Sequence, residues 1–368
     1  MFRKCVSTSL LFTLIAVLPV SADEKYVGDK ECRNCHSSIY RDYQRSGHPY
    51  KLQKTWGRAP QYPSNTSPGV PHPPEGMSWK DISYVIGGFA WKARFLDNEG
   101  YILTGKEQRQ YNLPNNNLGT EPHWTGYSAK TAPRKPYTCG SCHTTGWEAS
   151  GPDGPHQDGL QGIYGTWALP GVTCEACHGP ASEHVDEPEK HNLALEENCD
   201  SCHRRKDPRV IDASKGLIRH HEQYEGLLAS AHKYLKCGSC HEPHKSVKYG
   251  DGFKGEQATC LQCHESHIPE AAAQHKAGCI DCHMPALAKS AVFKQLEMKD
   301  GSFPLGDVRS HIFSIHPSPD WQMFSDEGKR VALDSNNRAH LNIRYSCIGC
   351  HTDKDLKWIE EHKGKFLK

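Results

Sequence analysis

The hydrophobic and polar positions along this chain predict few long regular elements. Near the start, the apolar stretch LLFTLIAVLPV follows two cations and precedes small residues that end at Ala22. This layout is typical of a signal peptide rather than a membrane anchor, because the apolar run is short and a cleavage site follows it. We expect residues 1–22 to be removed, and no later segment approaches transmembrane length. The mature chain is therefore expected in the periplasm, on the cell surface or outside the cell.

Strand patterns cluster after a Pro-, Ser- and Asn-rich loop over Ala59 to Gly76. SYVIGG, WKARFL and YILTG are rich in β-branched and aromatic residues, and a turn over Asp97 to Gly100 separates the last two. They predict a small β-hairpin insert, which either forms a lid over a substrate site or, as is more usual, covers the edge of a cofactor. Helical spacing is restricted to residues 221–234 and to the tail from Asp353 to Phe366.

Composition changes this picture. Only 36% of the 368 residues are hydrophobic, and 32 Gly and 24 Pro are present, which is too little apolar material for an ordinary core of this size. The formal net charge is +1 without a basic block, so nothing indicates nucleic-acid binding. The unusual components are 17 Cys and 24 His. Something other than aliphatic side chains must therefore fill the interior.

Apart from Cys5, which lies in the predicted signal peptide, every cysteine belongs to a Cys-X-X-Cys-His motif. The eight motifs, numbered here in chain order, are Cys32/Cys35/His36, Cys139/Cys142/His143, Cys174/Cys177/His178, Cys199/Cys202/His203, Cys237/Cys240/His241, Cys260/Cys263/His264, Cys279/Cys282/His283 and Cys347/Cys350/His351. The spacing lets two thiols add to the vinyl groups of one porphyrin while the adjoining imidazole binds its iron, and it is the attachment signature of haem c.

Zinc sites or a disulfide framework are the alternatives to haem attachment. Both need cysteine pairs, but neither gives a reason for a histidine directly after each pair. The sequence therefore predicts eight covalently attached haem c groups, whose macrocycles replace the missing core. Motif spacing then divides the mature chain into a first haem segment with the loop and hairpin (23–138), a dense six-haem block (139–290) and a C-terminal segment with the eighth haem (291–368).

Sixteen histidines remain after the eight proximal ones are subtracted, so every iron can receive a second imidazole. A histidine close to a motif is too tethered to reach its own iron, and we expect it to bind an adjacent one. On local context the candidate distal ligands are His48, His184, one of His220 and His221, His232, His244, His267, His275 and His311. The alternative for each is a surface or packing role, which is the expectation for His72, His123, His156, His191, His316, His340 and His362. Mostly bis-histidine coordination suits irons that pass electrons.

With these motifs the chain resembles the multihaem cytochromes that include cytochrome c-554, hydroxylamine oxidoreductase, octahaem tetrathionate reductase and pentahaem nitrite reductase. YVGDKECRNCHSSIYRDYQRSGHPY is similar to the first haem segment of the cytochrome c-554 type, which implies a distal role for His48. CGSCHEPH, CIDCHMP and CEACHGPASEH also look like segments of this group. Haem count and resemblance together imply a mainly α fold with much irregular loop, wrapped around a haem stack, with a small β-hairpin insert after the first haem.

Two functions remain open. The first is an exported cytochrome that conducts electrons along stacked haems in anaerobic or extracellular respiration, alone or as a polymerised filament. Its partners would be cytochromes or quinol-linked donors, and its terminal haems would be the first and the eighth. This function is favoured because no motif has the lysine variant of pentahaem nitrite reductases or the expanded spacing of some octahaem sulfite reductases.

The second function is an octahaem reductase or dehydrogenase of a small nitrogen or sulfur oxyanion, such as tetrathionate, nitrite or hydroxylamine. It requires one iron with an open sixth position near donors that stabilise charge on the substrate. The haem of Cys139 and Cys142 is the candidate, with Lys92, Arg94 and His123 as nearby donors, although an ordinary surface role is the more usual one for each of the three.

Overall fold

The computed structural model describes residues 24–128, 134–193, 198–205, 207–220, 222–264 and 277–365. Within these ranges the β-strands hold more residues than the α-helices, and no α-helix is longer than seven residues. The expectation of a mainly α fold is therefore wrong for the described chain. Frequent Gly and Pro residues interrupt the helices, and most of them are single turns that frame a Cys-X-X-Cys-His motif.

A seven-stranded antiparallel sheet occupies the region between the first two motifs. Its strands are β1 (Leu52–Lys54), β2 (Ile82–Gly87), β3 (Lys92–Asp97), β4 (Ile102–Leu103), β5 (Gly105–Asn112), β6 (His123–Tyr127) and β7 (Arg134–Lys135). The order is β1-β2-β3-β4-β7, and β5 pairs with both β3 and β6. The predicted strands SYVIGG and WKARFL coincide with β2 and β3. The prediction of a small hairpin is nevertheless wrong, because β1, β5, β6 and β7 extend the pair into a full sheet.

Side chains cover both faces of this sheet. Successive strand residues point to opposite faces, so Tyr84 and Leu96 pack with Tyr137 on one side while Val85 and Phe95 pack together on the other. Phe95 and Leu96 have no exposed surface. This part of the chain therefore has a hydrophobic core of its own.

A second sheet lies towards the C-terminus. Two short pairs precede it, β8 (Thr144–Thr145) with β11 (Leu169–Pro170) and β9 (Glu148–Ala149) with β10 (Gly165–Thr166). The sheet itself has the order β12 (Ala213–Ser214), β13 (Leu217–Arg219), β14 (Ala288–Met298) and β15 (Gly301–Val308), and β16 (Ile315–His316) pairs with β17 (Leu341–Asn342) beside it. Its core includes Ile211, Leu287, Ile312 and Leu341. The sequence patterns had not indicated β14 or β15.

The helices are short and mostly mark the motifs. They are α1 (Asp29–Cys32), α2 (Ser37–Tyr43), α3 (Gly140–His143), α4 (Glu175–His178), α5 (Ser182–Asp186), α6 (Gln223–Leu228), α7 (Cys279–His283), α8 (Ile343–Cys347) and α9 (Leu356–His362), with 3-10 turns at Trp79–Asp81, Gln157–Gly159, Cys199–Ser201, Cys237–Ser239, Cys260–Gln262 and Lys363–Lys365. Helices α6 and α9 lie within the two segments of predicted helical spacing. In the described part of the chain, no helix combines the length and the apolar character that a membrane crossing requires.

Most of the stretch that connects β13 to β14 lacks a side-chain core. From residue 230 to residue 284, in the described stretches 230–264 and 277–284, no aliphatic or aromatic side chain is buried, although the fifth, sixth and seventh motifs lie there. Tyr234, Leu235 and Val247 are exposed instead. Apolar side chains at these positions are suited to cover a large planar cofactor.

Replacement of Phe95 by alanine tests the independent core of the first sheet. Phe95 packs against Trp124, with ring centroids 5.4 Å apart, and its loss leaves a cavity. We expect the free energy of unfolding to fall by about 3–5 kcal/mol, measured by chemical denaturation of the haem-loaded protein. The control Phe95→Leu retains most of the volume and should lose less. Equal stability of Phe95→Ala and the wild type would contradict this assignment of the core.

Candidate haem and electron-transfer sites

Each Cys-X-X-Cys-His motif forms a single tight turn. In at least six of the eight motifs the histidine N–H bonds to the carbonyl of the first cysteine, as in His36 to Cys32 at 2.8 Å and His178 to Cys174 at 3.0 Å. This turn brings the two thiols and the imidazole to one side, because residues three and four apart share a helix face. None of the sixteen cysteines forms a disulfide. The donor set is therefore arranged for two thioether bonds and one iron–imidazole bond.

Five of the proximal histidines face a second imidazole. The ring centroids are 6.3 Å apart for His36 and His184, 6.5 Å for His48 and His203, 6.5 Å for His178 and His244, 6.0 Å for His232 and His264, and 6.1 Å for His241 and His311. Two imidazoles bound on opposite sides of one metal have centroids roughly 6 Å apart, because each metal–nitrogen bond is about 2.0 Å and the ring centre lies about 1.1 Å beyond the nitrogen. The separations fit one iron between each pair.

The five partner histidines are all predicted distal ligands: His48, His184, His232, His244 and His311. Each faces a motif other than the one beside it in sequence, as was expected from the short tethers. A further close pair, His316 and His340 at 5.9 Å, contains no motif histidine, and Trp321 stacks on His316 at 4.3 Å. That pair is a packing cluster.

Four of the candidate histidines also show how the ligating nitrogen is selected. Nδ1 of His143, His184, His241 and His283 donates to a backbone carbonyl, at 3.0, 2.6, 3.3 and 2.8 Å. A donating Nδ1 leaves Nε2 as the nitrogen with a free lone pair, the arrangement usual for metal-bound histidine. Nδ1 of His244 meets the Glu242 carboxylate at 2.9 Å instead.

Burial keeps several of these imidazoles neutral, the form that binds a metal. Burial, followed by the charge of Lys51, lowers the pKa of His48 to about 3 and that of His203 to about 4. Burial and then His241 lower the pKa of His311 to about 4. Of the remaining predicted ligands, His220 lies beside Arg205, which donates to the His220 carbonyl at 2.9 Å. His221, His267 and His275 lie outside the described residues.

His351 is the predicted proximal ligand of the eighth iron. Its ring packs on Trp358 of α9, with centroids 4.7 Å apart, and this separation is too short for an iron between the two rings. Helix α9 begins only five residues after His351, which brings the indole close to this ring. Trp358 also stacks on His362, at 4.4 Å. Bis-histidine ligation of the eighth iron stays a prediction.

Cys263 is the second predicted anchor of the sixth haem. Its side chain is exposed, whereas Cys260 of the same motif is half-buried. The 3-10 turn Cys260–Gln262 ends before Cys263. The thioether role of Cys263 stays a prediction.

Thiols from different motifs lie next to each other, which orders the motifs in space. Cys32 is within hydrogen-bond reach of Cys174, and Cys142 of Cys202. Other thiols lie close enough for their charges to interact, namely Cys177 with Cys199, Cys240 with Cys260, Cys260 with Cys279, and Cys282 with Cys350. The imidazoles of His203 and His241 also lie close enough for their charges to interact, which places the fourth motif next to the fifth. The motifs therefore follow the order one, three, four, five, six, seven, eight, and the second branches from the fourth.

The second motif has different surroundings. Among the described residues, no imidazole faces His143 at the spacing of the five pairs. His143 is half-buried, and its Nδ1 donates to the Lys51 carbonyl. Burial, followed by the charge of Lys51 and with smaller contributions from Arg94 and Lys92, lowers the pKa of His143 to about 4. Three cations of the described chain therefore lie near this ligand.

Lys92 and Arg94 reach this site from alternate positions of β3. The Lys92 ammonium donates to the Ser290 carbonyl, and burial with the nearby Arg94 lowers its pKa to about 7. The Arg94 guanidinium lies 3.7 Å above the Tyr127 ring. Burial opposes ionisation of Tyr127, but Arg94 and a hydrogen bond from Lys135 outweigh it and lower the pKa of the phenol. Such a concentration of buried donors is suited to an anion.

Sequence reasoning anticipated part of this environment. Of the three predicted donors, Lys92 and Arg94 lie near His143, whereas His123 is exposed and bonds to Asn112 at 3.1 Å. The donor role of His123 stays a prediction. The sequence patterns did not indicate Tyr127 and Lys135 as part of this site. Tyr127 alternates with Thr125 on β6, and this alternation is the sequence signal that could have predicted Tyr127.

Comparison with known proteins agrees with the motifs. The profile of the family described as cytochrome c554 and c-prime matches residues 106–179, and that of the doubled CXXCH motif matches residues 229–269. The dissimilatory sulfite reductase MccA of Wolinella succinogenes is 26% identical over an alignment of 196 positions, which covers 40% of this chain and 27% of the relative. The matched segment thus spans only about a quarter of that relative.

Two solved structures share the fold. The octahaem sulfite reductase MccA of Wolinella succinogenes aligns with a TM-score of 0.59 at 17% identity, covering 94% of this chain and 71% of that one. The outer cell wall cytochrome OcwA aligns with a TM-score of 0.56 at 16% identity, covering 91% and 86%.

Motifs, thiol placement and matches together define a multihaem c-type cytochrome with covalently bound haem c. Within that class, the protein is related to the group that contains cytochrome c-554 and the octahaem sulfite reductase.

Replacement of His244 by alanine tests the imidazole pairs. The variant removes the ring that faces His178, so the third iron should become five-coordinate and give a high-spin ferric signal that amounts to a single haem. Electron paramagnetic resonance and magnetic circular dichroism of the oxidised protein measure this change. His316→Ala is the matched control, since its ring packs on Trp321, and its spectrum should equal that of the wild type. An unchanged spectrum for His244→Ala would contradict the pairing.

Proposed function

We propose that this chain is an exported octahaem c-type cytochrome that conducts electrons along mostly bis-histidine haems. The observation that carries the proposal is the set of five imidazole pairs at 6.0 to 6.5 Å. An iron held by two imidazoles keeps the same ligands in both oxidation states, so an electron is gained or lost with little rearrangement. Each of the eight motifs holds one haem, with the cysteines as thioether anchors and the motif histidine as proximal ligand.

The thiol contacts support a continuous path for electrons. The path runs from the first haem through the third, fourth, fifth, sixth and seventh to the eighth. At its two ends Cys35 and Cys350 are exposed, so both terminal haems are accessible to other redox proteins. Cys177 and Cys263 are exposed as well, which makes the third and sixth haems further points of exchange along the path. The partners would be cytochromes or quinol-linked donors, and end-to-end self-association of the chain would extend the same path.

Export follows from the predicted signal peptide over residues 1–22. It would bring the chain to the compartment where haem c proteins meet external electron acceptors, in the periplasm or at the cell surface. The protein OcwA, whose fold is similar, is described as an outer cell wall cytochrome.

Removal of the fifth haem tests the path. In the wild type, electrons redistribute among the haems faster than they leave, so oxidation of the fully reduced protein by a bulky acceptor should follow one kinetic phase. Cys237→Ala/Cys240→Ala separates the haems before and after the fifth, and we expect two phases in stopped-flow absorbance. Cys347→Ala/Cys350→Ala is the control, because it removes a terminal haem and should retain one phase. A single phase at the wild-type rate in the first variant would contradict the proposed order.

A second candidate function is reduction of a small sulfur or nitrogen oxyanion at the second haem. The observation that favours it is the placement of Lys92 and Arg94 beside His143, which faces no second imidazole among the described residues. The relative MccA is named a dissimilatory sulfite reductase, which makes sulfite, together with nitrite, a reasonable substrate class. Haem supplies the electrons for such a reaction when it is bound.

The residues of this chain supply binding and charge stabilisation. Each oxygen that leaves such an anion as water takes up two protons, and reduction of sulfite to sulfide or of nitrite to ammonium takes up six electrons. Lys92 and Arg94 offset the negative charge of the anion, and the Lys92 ammonium and the Tyr127 hydroxyl can each give a proton to a departing oxygen. The fourth haem, adjacent through Cys142 and Cys202, would deliver the electrons. Haem propionates are the other anions that these cations suit, so the test measures an added anion.

Replacement of Lys92 by methionine tests this second function. Wild-type oxidised protein should respond to nitrite and to sulfite with a shift of the Soret band, and Lys92→Met should weaken the apparent affinity about tenfold, which corresponds to about 1.4 kcal/mol. The control Lys80→Met removes an exposed cation from the 3-10 turn Trp79–Asp81 and should bind as the wild type does. Absence of any spectral response in the wild type would exclude an open second haem.

A further inference from the structure

Asp307 on β15 makes an unusual set of contacts with the adjacent strand. Its Oδ1 accepts the N–H of Ser290 at 2.5 Å, and its Oδ2 accepts the N–H groups of Ala291 and Val292 at 2.7 and 3.0 Å. These N–H groups lie where the pairing of β14 with β15 shifts register, between Ala288 and Phe293. A register shift of this kind leaves backbone donors without a partner on the neighbouring strand. The Asp307 carboxylate therefore accepts hydrogen bonds from three of these backbone N–H groups.

Backbone carbonyls of Ser290 and Asp307 also accept hydrogen bonds from side chains at the start of β3. The Ser290 carbonyl accepts a hydrogen bond from the Lys92 ammonium, and the Asp307 carbonyl accepts one from Trp91 Nε1 at 3.2 Å. Trp91, which directly precedes β3, and Lys92, its first residue, are thus both hydrogen-bonded to the C-terminal sheet. The position of the Lys92 ammonium depends on the irregular backbone that Asp307 stabilises.

We propose that Asp307 is a positioning residue that holds the Lys92 ammonium at the second haem and keeps it protonated for anion binding. This inference rests on the second candidate function above. It assigns a role to a residue that lies on a different sheet from Lys92.

The charges around Lys92 agree with this role. Arg94 from its own strand, Lys289 from β14 and Arg205 oppose protonation of Lys92, and the charge of Lys92 in turn lowers the pKa of the predicted haem ligand His143. Asp307 favours protonation. Burial is the largest influence, and the resulting pKa of Lys92 is about 7. The ammonium therefore carries its charge below neutral pH and loses it above.

The direction of the pH dependence follows. Anion binding that depends on charged Lys92 is strong below its pKa and declines as the pH rises through that value. Among the charges described around Lys92, that of Asp307 is the one that favours protonation. Asp307→Asn removes this charge, so the pKa of Lys92 falls further. Anion binding should then decline at a lower pH than in the wild type.

The test is a titration of the oxidised, haem-loaded protein with nitrite at pH values between about 5 and 9, followed by the Soret band. The wild-type affinity should fall with a midpoint near the pKa of Lys92. Asp307→Asn should move the midpoint to lower pH by about one unit, a tenfold change in proton affinity. Asp326→Asn, which removes an exposed carboxylate remote from the β14–β15 pairing, should leave the midpoint unchanged.

Lys92→Arg gives a second readout that does not require the Asp307 variant to fold. A guanidinium stays charged over this range, so the pH dependence should become flat. A wild-type midpoint in Asp307→Asn, or a wild-type pH dependence in Lys92→Arg, would overturn the inference while anion binding itself stands. If the wild type fails to bind nitrite at any pH, the second candidate function is wrong and the inference is overturned with it.

Discussion

The facing imidazoles join segments of this chain that lie far apart in the sequence. From residue 230 to residue 284 the described residues bury no aliphatic or aromatic side chain, yet this stretch carries three motifs and His232 and His244. The stabilisation that a side-chain core supplies elsewhere must come here from porphyrin contacts and iron–nitrogen bonds. Short helices suffice under this constraint, because one helical turn presents two thiols and an imidazole to one macrocycle. Longer helices would need an apolar face to bury, and the composition does not supply it.

The two sheets have a different role from this stretch between β13 and β14. Each has a hydrophobic core, around Phe95 in the first and around Ile312 in the second, so each can hold its shape without help from a cofactor. Trp91 and Lys92 connect the sheets directly. A charged side chain at the second motif is therefore held between two rigid bodies rather than by a loop. Such support limits the movement of a group that must keep its distance from an iron.

Haem attachment and iron ligation could be predicted from the sequence because both depend on residues within or close to short motifs. The eight motifs, and five distal histidines such as His48, needed only local context. The pairing of His48 with His203, and the indole beside His351, could not be predicted, since each joins residues that only the fold brings together. Strands β2 and β3 had clear alternation, whereas β14 contains Lys289 and Ser290 at positions that conceal its pattern. The contacts of Asp307 arise from an irregular register between β14 and β15, and the hydrophobic periodicity of the sequence gives no indication of such an irregularity.

The separation of the paired histidines along the chain has a consequence for how the protein is made. His36 faces His184, and His48 faces His203, so the first and fourth irons cannot gain their second imidazole until about half of the chain has been synthesised. Contacts between such distant residues form slowly. The haem-attachment machinery would therefore act on an extended polypeptide with reduced thiols, and ligand capture would complete folding afterwards. Maturation and folding would then be one process, in which a haem missing from one motif leaves a distant segment without its anchor.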